Sequence, residues 1–165
     1  MDTKKYFPVL KDVLSAERTL NEILEPTPLQ RSRTLSEKYG AHVYLKREDL
    51  QMVRSYKIRG AYNKIRSLSS EERERGVVCA SAGNHAQGVA YSCSKLGING
   101  KIFMPTTTPK QKISQVKMFG GQYVEVVLVG DTFDAASRAA AAECEKSGMV
   151  FIHPFNDPKI IEGQA

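Results

Sequence analysis

Cysteine and histidine, which build disulfide frameworks and metal centres, are scarce in this chain of 165 residues. It has three of each and no tryptophan. Cys79, Cys93 and Cys144 are widely spaced with no CxxC pair, so the sequence predicts neither a disulfide framework nor a zinc site. The histidines are scattered and no HExxH motif occurs. We therefore expect reduced thiols and no metal.

Long apolar runs are also missing. No stretch approaches the roughly 20 apolar residues that a membrane-spanning helix needs. The polar start, Met1-Asp2-Thr3-Lys4-Lys5, does not lead into the apolar segment of a secretory signal. The sequence therefore predicts no membrane association and a cytoplasmic location.

The formal net charge of +6 raises nucleic acid as a partner. The basic residues, however, are interleaved with acidic ones, as in Glu71-Glu72-Arg73-Glu74-Arg75, which is typical of solvated faces. Neither GxGxxG nor GxxxxGK[ST] occurs, so dinucleotide and P-loop sites lack their motifs. We expect no nucleic-acid partner, and a positive field suits a small anionic ligand at least as well.

Strand and helix patterns alternate from Val77 onward, which predicts an α/β fold with an open parallel sheet covered on both faces. The predicted strands are 77–80, 101–104, 123–129 and 149–152, with helices over about 86–96, 110–119 and 135–144. Before Val77 the patterns predict helices over 10–24 and 32–39, an extended connection at 26–29 and a strand at 43–46. Ser55 is expected to cap a further helix, and Ser69 with Glu72 has capping-box spacing.

The first chemically suggestive motif is Ser55-Tyr56-Lys57-Ile58-Arg59-Gly60-Ala61. Lys57 falls in the first turn of its predicted helix, near Arg54 and Arg59. The helix dipole and the neighbouring cations both disfavour an ammonium, so we expect the pKa of Lys57 to be lowered. A lysine of this kind suits covalent chemistry with an aldehyde cofactor, although the motif alone also fits a solvated surface lysine.

The second motif, Ser81-Ala82-Gly83-Asn84-His85-Ala86-Gln87-Gly88, joins a predicted strand to a predicted helix. A serine hydroxyl, a glycine and helix N-terminal amides suit a small anion such as a carboxylate. The Asn84 amide could hydrogen-bond a cofactor ring oxygen. Taken alone, the motif also fits an ordinary turn with Asn84 as the helix cap. His85 would then be only a hydrogen-bonded polar residue at the start of the helix.

Together the two motifs resemble those of the fold-type II pyridoxal-phosphate enzymes, in particular the biosynthetic threonine dehydratase (threonine ammonia-lyase) branch. The resemblance extends over most of the chain, through residues 25–29, 43–50, 54–62, 80–88, 104–105, 108–109, 119–121, 130–134 and 154–158. It implies a fold similar to that of tryptophan synthase β, with open parallel sheets covered by helices in two domains, of which the larger is incomplete here.

The resemblance also implies roles for particular residues. Lys57 would hold pyridoxal 5'-phosphate covalently and, once released, take the Cα proton of the substrate. The substrate-binding residues would be Ser55, Ser81, Ala82, Gly83, Asn84 and His85, with Asn84 also touching the 3-oxygen of the cofactor. The implied reaction converts L-threonine to 2-oxobutanoate and ammonia, the first step of isoleucine biosynthesis, in an enzyme that is a homo-oligomer at full length.

The resemblance further implies a division of the chain. Residues 1–73 would be the N-terminal part of the larger domain, 74–153 the smaller α/β domain, and 154–165 the start of the return to the larger domain. The glycine-rich loop that binds the cofactor phosphate in this family does not occur in the sequence. The sequence thus resembles an N-terminal fragment, and we expect this stretch alone to bind the cofactor weakly and to have little activity.

Two alternatives remain open at this stage. One is a serine-directed relative, either serine racemase or a catabolic serine/threonine dehydratase, since these share the central motifs. The other is an inactive truncated module with a binding or dimerisation role.

Overall fold

The computed structural model describes residues 6–165. The polar start Met1–Lys5, on which the expectation of no secretory signal rests, lies outside them. The first part of the chain is mainly helical, with two short strands and a 3₁₀ turn at Glu48–Leu50. Its elements are α1 (Leu10–Leu20), β1 (Leu29–Arg31), α2 (Arg33–Tyr39), β2 (Tyr44–Lys46), α3 (Lys57–Arg66) and α4 (Ser70–Arg75).

The second part alternates strands and helices, as predicted. Its elements are β3 (Val77–Ala80), α5 (Asn84–Leu96), β4 (Gly100–Met104), α6 (Lys110–Gly120), β5 (Val124–Leu128), α7 (Phe133–Ser147), β6 (Val150–Phe151) and α8 (Pro158–Gln164). The four strands form one parallel sheet in the order β5-β4-β3-β6. The predicted α/β class with an open parallel sheet is therefore confirmed.

Both faces of this sheet are covered, because alternate residues along each strand point to opposite sides. On one face Val77, Cys79 and Ile102 pack with apolar residues of α3, α5 and α6. On the other face Val78 and Phe103 pack with the alanine-rich side of α7. All four residues of β3 are buried, which explains its unbroken apolar sequence.

The first part contains a feature that the sequence patterns did not predict. β1 and β2 form an exposed antiparallel pair, in which Leu29 is opposite Lys46 and Arg31 is opposite Tyr44. The sequence predicted a strand at 43–46 but only an extended connection before it. Strand pairing depends on a partner distant in the sequence, so a three-residue strand carries little local signal of its own.

The expected helix-end signals are present at most positions. Ser69 and Glu72 form the predicted capping box, and the Thr132 side chain accepts a hydrogen bond from the backbone N–H of Ala135. The expectation for Ser55 is wrong. α3 begins at Lys57 with Tyr56 at the capping position and no side-chain cap, so Ser55 lies just outside the helix.

Among the helices within residues 6–165, none has the length and apolar character needed to cross a bilayer. The same residues contain no cluster of three or more His, Cys, Asp or Glu side chains suited to holding a metal ion.

Candidate active site

The candidate site lies at the carboxyl edge of the parallel sheet, between β3 and β6. β4 and β5 extend the sheet on one side of β3, whereas β6 lies on the other side, so the chain connections reverse direction between β3 and β6. Ligands of open α/β sheets bind in the crevice at such a switch point. The loops that follow β3 and β6 and the first turn of α3 meet there.

Lys57 is the first residue of α3, and its side chain extends towards the loop after β6. The residue is buried, with 8% of its surface exposed. Its Nζ donates a hydrogen bond to the backbone carbonyl of Pro154 at 2.7 Å. The same nitrogen lies 4.3 Å from the ring centroid of Phe155 and 5.2 Å from that of Tyr56. The amine is therefore held between a carbonyl and two aromatic rings.

The pKa of Lys57 is lowered because burial removes water from the ammonium form. The direction agrees with the sequence-based expectation, but the cause differs. Arg59 was expected to repel the ammonium, whereas its guanidinium is held by both carboxylate oxygens of Glu48 at 2.7 Å. An arginine neutralised by its partner exerts little repulsion on a neighbour.

The loop after β3 leads directly into α5. The Ser81 hydroxyl accepts a hydrogen bond from the Gly83 N–H at 3.2 Å, which shapes the turn. Ser81, Ala82 and Gly83 are half-buried, and Asn84, the first residue of α5, is exposed. No atom lies within 4 Å of the position that a Cβ on Gly83 would occupy, so this turn borders open space. No side chain caps the start of α5, which leaves its first backbone N–H groups available to an anion.

His85, in the first turn of α5, is hydrogen-bonded to the segment that follows β6. Its Nε2 lies 2.9 Å from the carbonyl oxygen of Ile152, which can only accept, so Nε2 carries the proton. Burial, with a smaller contribution from the neighbouring Lys57, lowers the pKa of His85 to about 4. The ring is therefore neutral, and its buried Nδ1 is an acceptor without a partner among the described residues.

A close backbone approach joins the two motifs. A Cβ on Gly88, one turn into α5, would lie 3.1 Å from the backbone nitrogen of Ile58 and from the carbonyl atoms of Lys57. Glycine at this position lets the first turn of α3 rest directly against α5. Ser55 is also buried near Lys57, and its hydroxyl has no hydrogen-bond partner within residues 6–165.

The structure therefore brings Lys57 to the start of α5, next to His85 and Gly88, and the Ser81–Gly83 turn leads directly into that helix. The hydroxyl of Ser55 forms no hydrogen bond to that segment. Sequence reasoning missed Pro154 and Phe155 as contacts of the amine. The available signal was their position directly after a predicted strand, but only the strand order reveals that this strand adjoins β3.

Comparison with known proteins agrees with this architecture. The family described as "Pyridoxal-phosphate dependent enzyme" matches residues 20–165. The chain is 57% identical to the biosynthetic L-threonine dehydratase IlvA of Bacillus subtilis and 59% identical to that of Halalkalibacterium halodurans. Each comparison covers 155 residues, which are 94% of this chain and 37% of the relative. The chain thus spans well under half the length of these relatives.

Solved structures give the same result. Processed threonine deaminase isoform 2 from Solanum lycopersicum aligns with a TM-score of 0.86 and 47% identity, over 93% of this chain and 41% of that one. Maize serine racemase aligns with a TM-score of 0.88 and 30% identity, over 96% of this chain and 47% of that one. By its sequence, its fold and the lysine at its switch point, the chain belongs to the pyridoxal-phosphate-dependent enzymes.

Proposed function

We propose that the intact protein is an ammonia-lyase that converts L-threonine to 2-oxobutanoate and ammonia, with Lys57 holding pyridoxal 5'-phosphate. The observation that carries the proposal is the buried Lys57 amine, which is hydrogen-bonded to Pro154 after β6 and lies near His85 at the start of α5. The choice of threonine is supported by the 57–59% identity to biosynthetic threonine dehydratases.

The residues around Lys57 fit the cofactor. The buried hydroxyl of Ser55 and the buried Nδ1 of His85 have no partners among residues 6–165. An unpaired buried polar atom costs about 1–3 kcal/mol, which a bound polar group would offset. Asn84 is exposed at the same crevice and can donate its amide to a ring oxygen. When bound, the cofactor withdraws electrons from the Cα of an amino acid and so acidifies its proton.

Lys57 has two tasks in the proposed reaction. It binds the cofactor through Nζ and, once freed, accepts the proton from the substrate Cα. Both tasks need a neutral amine, and burial lowers the pKa of Lys57 in the required direction. The carbonyl of Pro154 fixes the direction of the amine through its 2.7 Å hydrogen bond.

The loop after β3 binds the substrate in this proposal. The carboxylate of the amino acid would lie against Ser81, Ala82, Gly83, Asn84 and His85, where the start of α5 presents N–H groups and a favourable dipole. His85 is neutral and fixed by Ile152, so it shapes the pocket without adding charge. Ser55 would contribute its free hydroxyl on the Lys57 side.

We also propose the division at residues 73/74 and 153/154. All four strands of the parallel sheet fall within 74–153, which supports treating that segment as the smaller domain. Residues 1–73 and 154–165 would then belong to the larger domain, supported by the close packing of Gly60 in α3 against Ile160 in α8. The intact enzyme would be a cytoplasmic homo-oligomer that opens isoleucine synthesis.

Borohydride trapping tests the role of Lys57. The intact protein is incubated with pyridoxal 5'-phosphate, reduced and mapped by peptide mass analysis, and we expect the label on Lys57. Lys57→Ala should abolish both the label and ammonia release. Lys110→Ala is the matched control, because Lys110 is likewise the first residue of its helix but is exposed. A label on another lysine, or ammonia release that survives in Lys57→Ala, contradicts the proposal.

Product analysis tests the choice of substrate. We expect 2-oxobutanoate from threonine to form with a higher kcat/KM than pyruvate from serine. The similarity to maize serine racemase favours a serine-directed enzyme as the second candidate. Formation of D-serine, or a preference for serine in pyruvate release, would select that candidate. An intact protein that binds the cofactor but turns over neither substrate would select the inactive module.

A further inference from the structure

His153 organises the loop that follows β6. Its Nδ1 accepts hydrogen bonds from the backbone N–H groups of Phe155 at 3.0 Å and Asn156 at 2.8 Å. A nitrogen that accepts two N–H groups cannot carry a proton, so the ring is neutral with its hydrogen on Nε2. The arrangement resembles an Asx turn, in which a side-chain acceptor fixes the backbone two residues further on.

The same loop provides two contacts of the Lys57 amine. Pro154, next to His153, offers the carbonyl that accepts from Nζ at 2.7 Å, and Phe155 offers the ring 4.3 Å away. The His153 ring packs near that of Phe155, with centroids 6.3 Å apart. The conformation that His153 imposes is therefore the one that aims a carbonyl and an aromatic face at the amine.

We propose that His153 is a positioning residue, which in its neutral form holds the Pro154–Phe155 turn against Lys57 and releases it when protonated. The proposal rests on the proposed role of Lys57. Protonation places a hydrogen on Nδ1, so this nitrogen can no longer accept hydrogen bonds from the Phe155 and Asn156 N–H groups. It becomes a donor that faces two other donors. The turn then loses its two hydrogen bonds to His153, and a positive charge appears beside the amine.

The groups around His153 favour its neutral form. Burial lowers its pKa most, and the ammonium of Lys57 on α3 lowers it further. Asp157, ahead of α8, acts in the opposite direction, but its carboxylate is paired with Lys64 at 2.9 Å. His85 on α5 also faces His153 and is itself neutral. His153 should therefore become protonated and release the turn only at a pH below the ordinary histidine pKa of about 6.5.

Two substitutions separate the hydrogen bonds from the titration. In His153→Asn the side-chain oxygen can accept from the same N–H groups but does not titrate, whereas His153→Ala removes the acceptor. In the intact holoenzyme at neutral pH we expect His153→Asn to retain most of the kcat. We expect His153→Ala to lose about tenfold to a hundredfold, since a small misplacement of a reacting group has effects of this size. His42→Asn, at an exposed histidine, is the matched control.

The pH profile provides the readout that a merely structural role would not change. The acid limb of kcat should lose one titrating group in His153→Asn and remain unchanged in His42→Asn. An acid limb that is the same in His153→Asn and the unaltered enzyme, or an Asn variant as impaired as the Ala variant, overturns the proposal.

A measurement without turnover keeps the two proposals separate. In the unaltered intact protein, ¹⁵N NMR of the His153 ring should show an unprotonated Nδ1 and a protonated Nε2 at neutral pH. A protonated Nδ1 overturns the inference whether or not the enzyme is active. If that tautomer is found but borohydride labels a lysine other than Lys57, the proposed function fails and the turn geometry stands.

Discussion

Replacing Gly88 by alanine perturbs the contact that brings α5 against Lys57. The added Cβ would lie 3.1 Å from the Ile58 nitrogen and from the carbonyl carbon and oxygen of Lys57, about 0.3 Å closer than ordinary contact. These atoms belong to the backbone of the first turn of α3, so no side-chain rotation relieves the overlap. The first turn of α3 must move away from α5, and the Lys57 amine moves with it.

Two opposing effects set the size of the change. Overpacking of this kind costs about 1–3 kcal/mol, and alanine gains about 1 kcal/mol over glycine inside a helix. We therefore expect Gly88→Ala to lower the unfolding free energy by about 0–2 kcal/mol. Gly83→Ala is the matched control for the fold, since its Cβ would meet no atom within 4 Å and its φ of −140° lies outside the left-handed region.

The assay combines stability with the position of the amine. In thermal unfolding of the intact protein, the midpoint temperature should fall by up to several degrees in Gly88→Ala and should not change in Gly83→Ala. Borohydride labelling of Lys57 should be slower in Gly88→Ala, because the amine is displaced from Pro154. If Gly88→Ala raised stability by the full helix gain and left labelling unchanged, the close contact between α5 and α3 would be refuted.

Two further predictions concern ionisable groups. His85 has a pKa of about 4 in the folded state, so below pH about 6.5 the unfolded state binds a proton that the folded state does not. The free energy of unfolding should therefore fall by about 1.4 kcal/mol per pH unit between pH 6.5 and about 4. His85→Gln, whose amide can still donate to Ile152, should flatten this decline in urea titrations; an unchanged slope would contradict the assignment. Arg59→Met should cost about 2–4 kcal/mol in the same titrations, because it leaves the largely buried Glu48 carboxylate unpaired. Arg47→Met, at a more exposed ion pair, should cost much less because solvent screens that pair. Equal losses in the two variants would refute the argument from burial.

Much of the fold could be predicted from local patterns. Val77–Ala80 is an unbroken apolar run that is buried on both faces, and the apolar spacing of α5 ends at Gly97, which adopts the left-handed conformation with φ 66°. The capping box of α4 follows from Ser69 and Glu72 alone. These features are set by side chains within a few residues of one another, so the sequence contains the whole signal.

The cap of α3 shows where local patterns fail. Ser55 is a favourable capping residue by type, but α3 begins at Lys57, and the preceding Arg54 has a positive φ of 55°. Burial of the segment around Val53 and Ser55 decides the path of the chain there. Tertiary packing outweighs a capping preference of about 1 kcal/mol.

The sequence by itself determined the kinds and the order of most elements, though not β1, and the two motifs that contain Lys57 and Asn84. Only the tertiary structure decided that β6 lies beside β3, and hence that Pro154 and Phe155 meet an amine almost a hundred residues earlier in the chain. It also decided that burial, and not a neighbouring arginine, lowers the pKa of that amine. Strand adjacency and burial arise from contacts between distant parts of the chain, which no local spacing of residues encodes.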